Sequence, residues 1–409
     1  IIIRTFLIIA QHNIVSTTKK IGVVLMNLGG PTNEDAVRPF LYNLFKDEDI
    51  IKLGGGFFQE LLAKTISKFR APNVAEDYFE INGCPKGCTG SKHCPNRKNK
   101  VVSECCSPIN GLSEQQRRAL EKHLKDSITD YPVKVYTAMR YWVPFADTTM
   151  DEMIEDGITH AVFVPLYPQF SWTTTGSSFR DWEQRRQQKF EDDEIPWKEF
   201  HVKNYHLNPH YLKALNSRID EALDSMDDET RSKTHLVFSA HGTPLVEVRS
   251  GDPYTVEIKE TMEAIMDLRG RNESYWLGFQ SKVGPQKWTQ PNTAELVERH
   301  LQYGIRNFLM IPIAFVTDHI ETLYELGVEL VEDLEEEEYD IENLQVTKGL
   351  NDHPDFIKAL GSEVLNRLDH ELPGIGNGNA ADDHDTTTPE KNTSTIEEHH
   401  EKSNFAETA

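Results

Sequence analysis

Outside the segment from Asn82 to Cys106, this 409-residue chain contains no cysteine at all. That excludes a disulfide framework spread over the fold, the device by which small secreted domains compensate for a thin core. The chain also has no apolar run of the roughly 18–20 residues that a membrane-spanning helix requires. IIIRTFLIIA at the start is too short and is interrupted by Arg4. Basic residues are scarce too, 43 Lys and Arg against 66 Asp and Glu, for a net charge of −23. A nucleic-acid partner is therefore not expected, since it would need a clustered basic face. Much of the acidity is local, in Glu329–Glu342 and in the last forty residues, which read as a solvated helix face and a disordered tail. The N-terminus shows no clear small-residue cleavage site, so the expected location is the cytoplasm, with a peripheral position at the inner membrane left open.

What is present is the grammar of an α/β protein. Six β-branched, continuously apolar runs read as buried parallel strands: 21–29, 133–141, 160–168, 235–242, 274–281 and 307–315. Helical patterns such as GLSEQQRRALEKHLKDSI and PHYLKALNSRIDEALDSM lie between them. The six runs pair into two similar triplets. VVLMNLGGP matches LVFSAHGTP, VYTAMRYWVP matches YWLGFQSKVGP, and VFVPLYPQFSWTTTGSS matches FLMIPIAFVTDHIETLY. Two related halves facing across a cleft are expected, with sites beyond the carboxyl ends of the strands.

Three strand ends carry chemistry. FSAHGTP places His241 where a strand breaks, available as base, acid or metal ligand. AFVTDHIETLYELG gathers Asp318, His319 and Glu321 at a strand-to-helix junction, with Glu325 one turn on from Glu321. Asp318 and Glu321 also fit a helix-start capping signal. The third group is large and flat: Arg140, Tyr141 and Trp142, Tyr167 and Phe170, and Trp288. The hydroxyls of Ser171, Thr173, Thr174, Thr175, Ser177 and Ser178 run alongside. Aromatics suit a planar apolar ligand, and Arg140 with the hydroxyls suits its carboxylates.

Together NLGGP, YTAMRYWVP, PLYPQFSWTTTGSS, FSAHGTP, FQSKVGPQKW and PIAFVTDHIETLYELG resemble the ferrochelatase family, in order, from about Ile21 to Leu372. The resemblance implies insertion of Fe2+ into a porphyrin, protoporphyrin IX in the first place with the tetracarboxylate coproporphyrin III left open, with release of two protons at the last step of haem formation. It implies two Rossmann-like chelatase domains, each a parallel sheet flanked by helices, with the porphyrin cleft between them. His241 and Glu321 become the catalytic pair, facing each other across the macrocycle, with His241, Glu321 and Glu325 as Fe2+ ligands. Leu28, Arg140, Tyr141, Tyr167, Ser171, Trp288, Phe315, Asp318 and His319 become substrate-binding residues. Leu28 stands where many members have methionine. The alternatives are a cobalt or nickel chelatase for another tetrapyrrole, and a non-catalytic haem or porphyrin carrier. The expected partners are porphyrin and ferrous iron, with peripheral membrane contact and a homodimer left open.

The expected organisation is a flexible N-terminus (1–19), a first Rossmann-like domain (20–168) carrying the cysteine-rich insertion 82–106, and a second (169–328). A helical return onto the first domain (329–372) and a disordered acidic tail (373–409) follow. In the animal type of ferrochelatase one cluster ligand lies in the SWTTTG loop and three near the C-terminus. That arrangement is excluded here, since the loop position is Trp172 and the tail has no cysteine. Other bacterial members carry four cysteines in an insertion before the SPI segment, as this chain does with C-x3-C-x5-C-x10-C-C. Cys84, Cys88, Cys94 and Cys105, with Cys106 as the alternative fourth ligand, would hold a 2Fe–2S cluster. Zinc would take the same thiolates, or three of them with His93.

Overall fold

The computed structural model describes residues 19–48, 56–81, 107–191, 194–281 and 286–375. The cysteine insertion, nearly all of the expected N-terminal segment and most of the expected tail lie outside these residues. All six expected strands form: β1 Ile21–Asn27, β2 Val133–Met139, β3 His160–Pro165, then β5 His235–His241, β6 Tyr275–Gln280 and β7 Asn307–Pro312. Two more, β4 Lys198–His201 and β8 Asn343–Val346, are edge strands of four residues each, and neither was expected. They escape a reading by apolar runs because an edge strand covered on few sides needs no such run. The sheets run β2-β1-β3-β4 and β6-β5-β7-β8, parallel throughout, so the internal similarity of the sequence is a repeated strand order. Because β4 belongs to the first sheet, a division at residue 168 cuts that sheet. The first half runs on through residue 201.

Helices cover both faces. In the first half these are α1 Glu34–Lys46, α2 Gly56–Ile81, α3 Ile109–Ser127, α4 Ala146–Asp156 and α5 Thr175–Phe190. Next come α6 Pro209–Asp224, α7 Asp228–Lys233, α8 Leu245–Ser250, α9 Tyr254–Leu268 and α10 Thr293–Gln302. α11 Ile320–Leu323, α12 Leu330–Glu336 and α13 Pro354–Leu368 complete the chain. Burial on two sides explains why the strands read as continuous rather than alternating. Even so, the pleat sorts them. Val23 and Leu25 of β1 join one core with Leu236 and Phe238 of β5, while Val24 and Met26 face α4 and α5. That shared core, filled by α3, α6, α9 and α13, knits the two sheets together. Consequently the site residues emerge at the carboxyl ends of both sheets, held by one continuous packed body.

Candidate active site

His241 is the last residue of β5, and Glu321 lies in the first turn of α11, beyond β7. Since β5 and β7 are neighbours, their ends bring the two side chains together. His241 Nδ1 and Glu321 Oε2 are 2.8 Å apart. The expectation that they face each other across a macrocycle is thus corrected, because no ring fits inside a hydrogen bond. They form one unit on one wall. Burial opposes the charge on both groups. The adjacent carboxylate nevertheless raises His241 above its ordinary value, and His241 holds Glu321 well below the usual carboxylate range. The His241 side chain keeps 38% exposure against 19% for Glu321, so the imidazole is the more accessible member.

Phe315 spaces the neighbouring rings, edge-on to His241 at 6.3 Å and to His319 at 4.7 Å. His319 is buried, with Nδ1 at 3.0 Å from the Thr317 carbonyl. Among the described residues its Nε2 has no hydrogen-bond partner, and it stands 3.8 Å from Glu321 Oε1. After α11 the chain widens into a π-turn, Glu325–Glu329, of the kind that often marks functional segments. Glu325 Oε2 accepts the Ser281 hydroxyl at 2.5 Å, and the Gln280 amide reaches both the Glu321 carbonyl and Glu325. Ser281 holds a left-handed backbone (φ 64°), a strained setting for a non-glycine residue that aims its hydroxyl at Glu325. Burial and the Glu321 charge push Glu325 up to about 7, against the pull of Ser281.

Several of the expected substrate-binding residues make framework contacts. Asp318 accepts N–H groups from Gly349 and Asn351 and the Thr322 hydroxyl, which ties the β7 end to the segment after β8. The helix start is capped one residue later, by Thr322 accepting the His319 N–H. Trp288 packs on Gly242, where any Cβ would also meet the Gln280 carbonyl at 2.8 Å, so His241 must be followed by glycine. Tyr167 and Ser171 are buried, at 8% and 1% exposure, and Leu28 packs with Tyr141 and Trp142 against α1 and α2.

On the first half, Arg140 and Tyr141 follow β2 but are not free for a ligand. Arg140 donates to Asp47 (2.9 Å), Ser177 (2.9 Å) and Asp181 (3.3 Å), and the fully buried Tyr141 hydroxyl donates to Asp47 at 2.6 Å. Asp47 was missed by sequence reasoning. It follows the amphipathic α1 with no motif of its own and becomes important only when α1 folds over the end of β2. His241, Glu321 and Glu325 likewise make no ready three-ligand iron site. Among the described residues no three His, Cys, Asp or Glu side chains converge on a metal-sized point. Glu325 is instead turned to Ser281 and Gln280.

The sequence profile of the ferrochelatase family matches residues 20–88 and 91–368. Ferrochelatase of Picosynechococcus sp. is 37% identical over 351 residues, spanning 86% of this chain and 83% of that protein. Ferrochelatase of Gloeobacter violaceus is 35% identical, spanning 85% of this chain and 98% of that protein. The chain belongs to the ferrochelatase family. A solved structure of SirB from Bacillus subtilis with Fe3+ covers 86% of this chain and 96% of its own, at 12% identity and a TM-score of 0.45.

As a ferrochelatase, the chain inserts iron into a porphyrin, the step that forms haem. The chemistry requires two pyrrole protons to leave as a hydrated cation sheds water. A partly buried imidazole–carboxylate pair backed by a carboxyl group poised near neutrality can accept and pass protons without a large change in local charge.

Proposed function

We propose that His241 and Glu321 act as one proton-accepting unit in the metallation of protoporphyrin IX, with Glu325 as the next proton carrier. The observation that carries this reading is the 2.8 Å contact between His241 Nδ1 and Glu321 Oε2. With Nδ1 engaged, Nε2 is the nitrogen left to meet a pyrrole N–H or a ferrous ion, for which imidazole is a suitable ligand. Steady-state Fe(II) insertion into protoporphyrin IX, well beyond one turnover per chain, is the expected result. Faster metallation of sirohydrochlorin by cobalt would overturn the substrate assignment, and a single turnover would favour a carrier.

The pH dependence follows with a definite sign. Glu325, at about 7, accepts a proton only when ionised, and His241 accepts one only when neutral, above its raised value. The rate should therefore rise with pH through about 7. Glu325→Gln should remove that inflection and leave the His241 limb. An unchanged profile in Glu325→Gln would dismiss Glu325 as the carrier.

Peripheral membrane contact is supported by α2. Phe58, Leu61, Leu62 and Phe69 stand 38–73% exposed along it, interleaved with Lys64, Lys68 and Arg70. Exposed apolar side chains interleaved with basic ones can meet an anionic bilayer through shallow apolar insertion and headgroup contacts. Among the described residues no helix is long and apolar enough to cross a membrane. In flotation with anionic vesicles, the parent protein should co-migrate and Phe58→Ser/Phe69→Ser should not.

For the cysteine insertion, the donor set itself supports the reading. Four thiolates from Cys84, Cys88, Cys94 and Cys105 (or Cys106) match the ligands of a 2Fe–2S cluster, and zinc is the alternative. Where the described chain resumes, the Ser107 N–H donates to the Pro31 carbonyl and its side chain sits against Gly30, just beyond β1. A cluster there would brace the insertion, since metal insertion itself transfers no electron. Anaerobically purified protein should contain iron and acid-labile sulfide in equal amounts and show visible bands bleached by dithionite. A colourless protein with stoichiometric zinc would select the alternative.

A further inference from the structure

The loop that leaves β3 is gripped by two buried carboxylates from the opposite half. Asp252, 5% exposed, stands just before α9. Its Oδ2 accepts the Ser171 hydroxyl at 2.8 Å and the Trp172 N–H at 2.9 Å. Its Oδ1 accepts the Tyr254 N–H at 2.9 Å, so the carboxylate cannot rotate to follow a departing loop. On the first turn of α9, Glu257 accepts the Phe170 N–H at 2.6 Å and the Asn204 amide at 2.5 Å. Next to these, the Gln169 amide reaches the Thr261 hydroxyl at 3.1 Å and the Ile313 carbonyl at 3.4 Å. Each of the four residues from Gln169 to Trp172 is thus tied to the second half by a directed polar contact.

The far end of this tie leads to the catalytic pair. Asp252 closes the segment that begins at His241 and passes through Gly242 and α8, and its own N–H donates to the Glu247 carbonyl. A shared apolar core is tolerant of small slides because hydrophobic attraction has no direction. Charge-assisted hydrogen bonds to backbone amides are directional, and they hold a distance. The Ser171 hydroxyl is already donated, and its residue is 1% exposed, which leaves it no group to offer a porphyrin carboxylate.

We propose that Asp252 and Glu257 are positioning residues that latch the β3–α5 loop to the second half and set the width of the porphyrin cleft. Ser171 is the loop's end of that latch and not a porphyrin ligand. The inference rests on the ferrochelatase activity and is independent of which residue accepts the pyrrole protons.

The test is a double-mutant cycle of Ser171→Ala and Asp252→Ala, read by steady-state iron insertion with varied porphyrin and by thermal unfolding. Each single variant should raise the porphyrin KM by about tenfold with a much smaller change in kcat, as expected for lost positioning of bound substrate. The double variant should be no worse than Asp252→Ala alone. Asp252→Asn, which keeps an acceptor for the Trp172 N–H, should recover part of the loss, and the pH profile should not move. If Asp252→Ala does not fold, the same cycle is run with Asp252→Asn. Fully additive KM effects would mean that Ser171 touches porphyrin on its own account and would overturn the proposal. Folded variants that melt earlier but keep the parent KM would overturn it as well, by reducing the latch to a stability element.

Discussion

His241→Ala should lower the kcat of iron insertion by roughly 10²–10⁴-fold, the range lost when a positioned acid–base group is removed. Porphyrin affinity should change little, because β5, α11 and the aromatic packing around them stay in place. The expectation follows from the coupling of two groups rather than from one. Without the imidazole, Glu321 is a buried carboxylate that has lost its main source of stabilisation, and its pKa should climb from far below the ordinary range. The variant thus loses its imidazole and turns its carboxylate into a proton holder. Kinetics combined with a porphyrin fluorescence titration measures both halves of the statement. Near-parental kcat in a variant that still binds porphyrin would remove His241 from the mechanism. Glu321→Gln should approach the same loss, and combining the two should cost little more, as groups acting as a unit behave.

The linkage of the pair to stability has two limbs. Glu321, depressed in the fold, contributes stability above its unfolded value that is lost as pH falls toward its folded one. His241, raised in the fold, contributes stability below its ordinary value of 6.5 that is lost as pH rises through its folded one. Mildly acidic solution, between the ordinary values of 4.5 for Glu321 and 6.5 for His241, is therefore where the pair stabilises the fold most.

Asp47→Ala should destabilise the protein by about 3 kcal/mol, the low end of what removing one partner of a buried ion pair costs. Asp47 is 8% exposed and accepts from Arg140, Tyr141 and Ser177 at once. Its truncation leaves the Arg140 guanidinium, whose side chain is only 17% exposed, with Asp181 at 3.3 Å as its remaining ion-pair partner among the described residues. The Tyr141 hydroxyl would be buried without an acceptor, a further desolvation loss. The low end applies because Asp181 remains. Urea unfolding provides the measurement, with Asp47→Asn expected to lose less because it keeps an acceptor for Tyr141. A change below about 1 kcal/mol in Asp47→Ala would show that Arg140 repacks freely and that the end of β2 is not held by this network.

The sequence by itself determined the six central strands and the two-fold repeat of their order, and it singled out His241, Glu321 and Glu325 at the strand ends. Buried parallel strands announce themselves by unbroken apolar runs, and chemically unusual residues at their ends stand out against that background. It did not reveal β4 and β8, because short edge strands are stabilised by one neighbour and need little apolar surface of their own. Nor did it show that His241 and Glu321 touch. They are 80 positions apart, and only the adjacency of β5 and β7 brings them to 2.8 Å. The hydrogen-bond partners of Arg140, Tyr141, Ser171 and Asp318 were also decided by tertiary structure. A polar side chain at a strand end looks the same in a sequence whether it faces a ligand or a buried partner. Asp47 is that partner for Arg140 and Tyr141, Asp252 for Ser171, and Gly349 and Asn351 for Asp318, each contributed by a distant segment that meets the strand end only when the chain closes on itself.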